Sequence, residues 1–308
     1  MTKVKNYLSL VKFSHTIFAM PFAMIGFFVG ITKGQENNHF DSATGWRENI
    51  TGAAAIKSLS IKFFLVLLCM VTARSAAMAF NRYLDRHFDA KNPRTAIREI
   101  PKGIISANSA LRFTILSCIL FVISTFFINP VCFYLSPIAL FVILFYSYTK
   151  RFTFLCHLIL GLGLSLAPIG AYLAVTGAFA VLPILFSFAV IFWVSGFDII
   201  YSLQDIDFDQ SQRLYSIPST VGKAHALKIS ELLHVLSTAC VISAGLYGHL
   251  HWLYWIGIVI FTGMLIYQHS IVKPNDLSKV NIAFMTANGI ASVVFAIFVI
   301  ADLIVWVQ

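Results

Sequence analysis

Asn81, Asp85 and Asp89 stand four apart in "NRYLDRHFD", and far downstream Asp205 and Asp209 repeat the spacing in "YSLQDIDFD". On an α-helix such residues form a column, one turn to the next, on a single face. Asp198 lies two turns before Asp205 on roughly the same side, whereas Asp207 points elsewhere and is expected to be solvated. A lone aspartate at a membrane surface would be read as a helix cap. Columns of acid are different, because like charges at this spacing cost about a few tenths of a kcal/mol each. Near a helix C-terminus they also oppose the helix dipole. Two columns therefore call for a cation. Carboxylates with one Asn amide are an all-oxygen set, which suits a hard divalent ion such as Mg²⁺ bridging to phosphate. No His or Cys accompanies either column, which speaks against zinc. Lys91, Arg94, Lys150, Arg151 and Arg213 fall around the same positions, so the chemistry expected is capture of an anion as its magnesium complex, with diphosphate as the natural candidate.

The elements that must carry these residues are membrane helices. Of 308 residues, 58% are hydrophobic and 11% charged, and the mean hydropathy is +0.82; soluble globular domains do not have this composition. The fold expected is all-α, a polytopic bundle of about nine spans near 16–32, 61–80, 110–129, 131–149, 155–175, 181–200, 229–247, 252–272 and 281–307. "INPVC" around Pro130 and "TGAFAVLP" are read as tight hairpins. No separate soluble domain stands out, so residues 1–308 are expected to form one membrane domain. The first span lacks a following cleavage site and is expected to stay as an anchor.

With the N-terminus inside, the Lys and Arg of the terminus and of the loops after every second helix total seventeen of the 22, and only Lys33, Arg47 and Lys57 lie outside. That bias predicts a cytoplasmic N-terminus. The surplus of nine positive charges is spread over these loops and not pooled on one face, so no nucleic-acid partner is expected. The two acidic loops, near 81–109 and 201–228, also read as a weak internal repeat. The five cysteines fall in apolar runs without CxxC spacing and are expected to be buried and unpaired.

The sequence resembles the UbiA superfamily of intramembrane aromatic prenyltransferases. Asn81, Asp85 and Asp89 match its NxxxDxxxD motif, Asp205 and Asp209 its DxxxD, and "YSYTK", Tyr146 to Lys150, its YxxxK; "NPRT", "EIPKGIIS" and "SIPSTVG" add flanking likeness. The resemblance covers most of the chain. It implies two Mg²⁺ ions on the acidic columns clamping a polyprenyl diphosphate, with Lys150, Arg94 and Lys91 taking phosphate charge. It further implies an allylic cation attacked by an aromatic acid, with Asp198, Tyr146 and Tyr201 positioning groups or handling the proton, and an integral protein of the bacterial inner (plasma) membrane whose site faces the cytoplasm and membrane lipid. Within the family the sequence looks most like the 4-hydroxybenzoate branch of ubiquinone biosynthesis, with dihydroxy-naphthoate prenylation for menaquinone as the alternative.

Arg74 is an intramembrane charge two turns before Asn81. It is a candidate partner for an acceptor carboxylate, or else a structural partner of helix-end carbonyls or Asp198. A transporter with an acidic cation site is a further alternative, though its charges should lie near the bilayer midplane; acceptors such as a glycerol-phosphate lipid or a porphyrin remain open within the enzymes. His15 reads as an interfacial or packed histidine, and His249 and His251 as lying on the outer side. Trp193, Trp252, Trp255 and Trp306 read as interface anchors, and Gly161, Gly163 and Gly170 as close helix contacts.

Overall fold

The computed structural model describes residues 3–12, 18–34 and 53–306. Among them there is no strand, and eight helices are long and apolar enough to cross a membrane. In chain order the helices are α1 (Lys3–Leu10), α2 (Met20–Thr32), α3 (Ala53–Leu84), α4 (Arg86–Lys91), α5 (Ala107–Ile128), α6 (Pro130–Thr149), α7 (Cys156–Thr176), α8 (Val181–Ser202), α9 (Ile206–Ser211), α10 (Ile217–Tyr247), α11 (Trp252–Ile271) and α12 (Asn288–Val305). The expected bundle is present, with changes of extent, α3 running beyond the expected 61–80 at both ends. The first span is a 13-residue helix, α2, at about 20 Å too short to cross a bilayer alone; His15 lies outside the described residues. In the other direction α10 starts at Ile217 instead of 229 and turns a corner at Gly222 (φ 79°, ψ 167°), a backbone state open to glycine.

The connections are tight and satisfied. Asn129 alone separates α5 from α6: its Oδ1 accepts the Cys132 N–H at 2.8 Å while its Nδ2 donates to the Leu173 carbonyl at 2.8 Å. Pro130 follows at the first helical position, where no N–H is needed. Ser216 caps α10 in a reciprocal capping box with Ser219.

Packing is densest where α2, α7, α8, α10, α11 and α12 meet, around Phe22, Phe186, Trp193, Phe261 and Phe295. Lipid-facing residues such as Phe127, Phe141 and Val259 stay exposed, as expected where the solvent is hydrocarbon. Trp193 is not an interface anchor. It is fully buried, and its Nε1 donates to Asn288 Oδ1 at 2.8 Å, an oxygen that also accepts Gln268 Nε2 at 2.8 Å. Trp252 and Trp306 are exposed as anchors should be, whereas Trp255 leans on the core. Asn288 closes its own account on the Ala283 and Phe284 carbonyls, both at 3.1 Å. Those carbonyls belong to a π-helical segment, Ile282–Ala287, a form often found next to functional sites. It sets the Phe284 ring on Tyr201, centroids 4.2 Å apart.

Glycine decides two helix contacts. A Cβ on Gly26 would lie 2.0 Å from the Pro168 carbonyl oxygen, and one on Gly161 would lie 2.5 Å from that of Ile191. Gly163 makes an ordinary contact, and Gly170 makes none: a Cβ there meets nothing within 4 Å. The expectation of close packing fails at Gly170 because it faces a cavity. Among the described residues all five cysteines are free, with Cys156 buried and the rest half-buried.

Candidate active site

Both acidic stretches are broken helices. Asp85 (φ −88°, ψ 4°) separates α3 from α4, and Asp205 (φ −108°, ψ 6°) separates a 3₁₀ turn after α8 from α9. Both sit in the sparsely populated bridge region, common at functional sites. The helical column expected of Asn81, Asp85 and Asp89 is therefore divided between two helices. The column survives, because Asp85 N–H still donates to Asn81 O at 2.9 Å and Asp89 N–H to Asp85 O at 2.8 Å. The break also changes the electrostatics: Asp85 and Asp205 each begin a short helix instead of ending a long one, so the expected clash with a helix C-terminus is relieved. The repeated break gives the two loops the internal likeness seen in their sequences.

The carboxylates converge on one polar cavity of about 170 Å³, lined by Asn81, Asp85, Asp89, Asp198, Asp205 and Asp209 together with Arg94, Lys150, Tyr146 and Tyr201. Each acid has partners. Lys150 Nζ lies 2.7 Å from Asp85 Oδ2, and Arg151 Nη2 lies 2.8 Å from Oδ1. Arg98 holds Asp89 Oδ1 at 2.6 Å. Arg94 grips both oxygens of Asp205 and donates from Nη1 to Tyr201 Oη at 2.8 Å, while Asn92 adds a bond to Asp205 Oδ1 at 3.2 Å. Burial alone would lower the Arg94 guanidinium, but its bonds to Asp205 and Tyr201 outweigh that and hold it above its ordinary value. Asp209 Oδ2 accepts the Ser216 hydroxyl at 3.0 Å, and Asp207 is exposed as expected.

Arg98, Asn92, Ser216 and His157 were not singled out as site residues from sequence, whereas Arg151 was named among the cations around the acids. Lys91 was named too, and it stands apart: exposed and outside the cavity lining, it reaches Gln212 Oε1 at 3.4 Å.

A second cavity, of about 510 Å³, is apolar and shares Asn81, Arg98, Tyr146, Asp198 and Tyr201 with the first. It runs along α3 from Arg82 back to Val66, about 24 Å at 1.5 Å per residue, and its size is that of a ligand pocket. Arg74 opens into it, and among the described residues neither Asp198 nor a helix-end carbonyl pairs with this guanidinium; its Nε is buried without a hydrogen-bond partner there.

The residues fit divalent metal. Among the described residues Asp89 Oδ2 is buried with no hydrogen bond, the Arg82 Nη1 standing 4.0 Å away, and a hard acceptor so placed is of the kind a divalent ion satisfies. Among the described residues no three acids, histidines or cysteines form a cluster; Asp85, Asp89 and Asp205 are paired with Lys and Arg.

A bundle of membrane-crossing helices with a carboxylate-rich mouth opening onto an apolar chamber defines an integral membrane enzyme for an amphiphile with a charged head. The chain belongs to the UbiA prenyltransferase family, whose model matches residues 50–290. It is similar to the 4-hydroxybenzoate octaprenyltransferases of Alcanivorax borkumensis (30% identical, 82% of this chain, 86% of that one) and Tolumonas auensis (29%, 78% and 85%). In structure it resembles a UbiA homolog from Aeropyrum pernix (TM-score 0.75, 27% identical, 94% of this chain and 97% of that one). A UbiA homolog from Archaeoglobus fulgidus bound to DMAPP and Mg²⁺ shares the fold (TM-score 0.70, 20% identical, 97% and 99%). The chain is thus a prenyltransferase.

Proposed function

We propose that this enzyme transfers a polyprenyl group from polyprenyl diphosphate to 4-hydroxybenzoate. What supports the reading above all is the junction: the polar and apolar cavities meet at Tyr146, Asp198 and Tyr201, where the head and tail of an allylic diphosphate would join. The names of the relatives and the unpaired Arg74 favour a carboxylated aromatic acceptor.

Asn81, Asp85, Asp89, Asp205 and Asp209 would hold Mg²⁺, which supplies positive charge to the diphosphate when bound. Lys150 and Arg94, released from Asp85 and Asp205, turn to phosphate oxygens and stabilise the charge left on the departing group. The allylic C–O bond breaks with its electron pair on diphosphate. The ring carbon ortho to the acceptor hydroxyl supplies the pair for the new C–C bond, and Asp198 takes the ring proton. Tyr146 presents its ring face to the allylic cation, and Tyr201, which Phe284 covers on one face, holds Arg94 through its hydroxyl. Arg74 pairs with the acceptor carboxylate. The concentration of Lys and Arg on the loops at the site end supports a cytoplasm-facing site in a bacterial plasma membrane.

The test is mass spectrometry of lipids extracted from purified enzyme given a polyprenyl diphosphate and MgCl₂, with 4-hydroxybenzoate or a dihydroxy-naphthoate in parallel and an EDTA control. A magnesium-dependent prenylated benzoate is expected. Product from the naphthoate alone moves the enzyme to that acceptor, and product from neither overturns the aromatic acceptor.

A further inference from the structure

The start of α10 reaches the site by two routes. Ser216 is one, through its bond to Asp209. The other is a relay through His157. Ile217, the first residue of α10, donates its N–H to His157 Nε2 at 3.3 Å, and His157 Nδ1 lies 2.7 Å from Asp198 Oδ2. A backbone N–H only donates, so Nε2 must present its lone pair. The neutral ring then carries its one proton on Nδ1, aimed at the carboxylate. This histidine has little freedom. It is 2% exposed, and its own carbonyl accepts the Ser195 hydroxyl at 3.1 Å, which ties α7 to α8 as well as to α10.

We infer that His157 is a positioning residue of the transfer reaction. It holds Asp198 Oδ2 by a hydrogen bond and leaves Oδ1 for the reacting ligand. The inference rests on the reading of Asp198 as proton acceptor. Asp198 is half-buried at the junction of the two cavities, where a carboxylate without a fixed donor would swing toward the nearby cations. A catalytic group is effective only when held in its working orientation. A histidine that merely stapled three helices would matter to stability and not to the orientation of one carboxylate.

The experiment compares His157→Phe, His157→Asn and His157→Gln with Asp198→Asn and the double variant His157→Phe/Asp198→Asn, on whichever acceptor the wild-type enzyme prenylates. kcat, donor KM and thermal midpoint in detergent are read for each. Phenylalanine removes both ring nitrogens at similar volume; either amide returns an N–H donor. His157→Phe is expected to lose roughly 10- to 100-fold in kcat, the worth of one hydrogen bond to a charged group, with donor KM unchanged. Asn, whose amide nitrogen falls near the Nδ1 position, should restore most of the loss, Gln, whose amide falls near Nε2, should not, and the double variant should be no slower than Asp198→Asn, as expected of residues acting as a unit. Full kcat in His157→Phe beside an impaired Asp198→Asn overturns the inference alone. Additive losses, or a midpoint restored by Asn without restored kcat, overturn it too. Normal turnover in Asp198→Asn removes the proton-acceptor reading and the inference with it.

Discussion

Asp85→Asn tests whether the cations paired with the site's carboxylates are held in store for phosphate, as the proposed function has it. Asp85 is 2% exposed and carries both Lys150 and Arg151. Replacing it by asparagine keeps shape and volume but removes the charge that occupies the two cations. Each freed cation that meets a phosphate oxygen contributes about 1.5–3 kcal/mol. Lys150 and Arg151 are 32% and 26% exposed, so solvent screening puts the gain at the low end. One contact of that size is about tenfold in Kd. Inorganic diphosphate in EDTA should therefore bind the variant at least about tenfold more tightly than the wild type, by calorimetry on detergent-solubilised protein. With MgCl₂ the order inverts, because the wild type gains affinity through the metal and the variant has lost a ligand. Turnover of the variant should fall by about 10³-fold or more. Equal metal-free affinity in the two proteins would refute the stored-cation picture, and a variant that keeps its turnover would remove Asp85 from the metal site.

Four further outcomes follow from separate parts of the structure. Asp209→Ala should abolish turnover while the protein still inserts in the membrane, since among the described residues its side chain accepts one hydrogen bond, from the Ser216 hydroxyl; membrane fractionation beside the lipid assay reads both. Arg74→Gln should raise acceptor KM by about tenfold or more, the loss of one charged contact, leave donor KM unchanged, and bring 4-hydroxybenzamide level with 4-hydroxybenzoate in competition. Gly170→Leu fills chamber space that is open in the wild type, so it should slow octaprenyl diphosphate and spare geranyl diphosphate, while Gly263→Leu, with equal room but outside the chamber, alters neither. Asp302, fully buried, accepts the His251 and Tyr254 N–H groups at 2.9 and 3.3 Å and so caps α11; Asp302→Ala should cost about 1–3 kcal/mol in a detergent unfolding titration.

What could be read before the structure was whatever repeats locally. The columns of Asn81, Asp85 and Asp89 and of Asp205 and Asp209 obey a one-turn period, so chain order alone showed that each shares a face. Spans showed as apolar length. The helix breaks did not show, since neither "NRYLDRHF" nor "SLQDIDF" contains a proline or glycine. Where local sequence does not force a break, distant charges hold it: Lys150 and Arg151 on Asp85, and Arg94 on Asp205. His157 was silent for the same reason. In "LCHLIL" it looks like one polar residue opening an apolar helix, and its partners Asp198 and Ile217 are 41 and 60 positions away. Trp193 misled in the opposite sense. Hydropathy cannot separate a helix facing lipid from one buried among neighbours, and α8 is the buried kind, so its tryptophan found Asn288 instead of the interface. Lys91 shared the acids' short helix but not their face, and a basic residue near a site in sequence is no closer to it in space than its helical phase allows. Motifs therefore located the carboxylates that line the polar cavity, and the partners that orient them came from elements that only folding brings together.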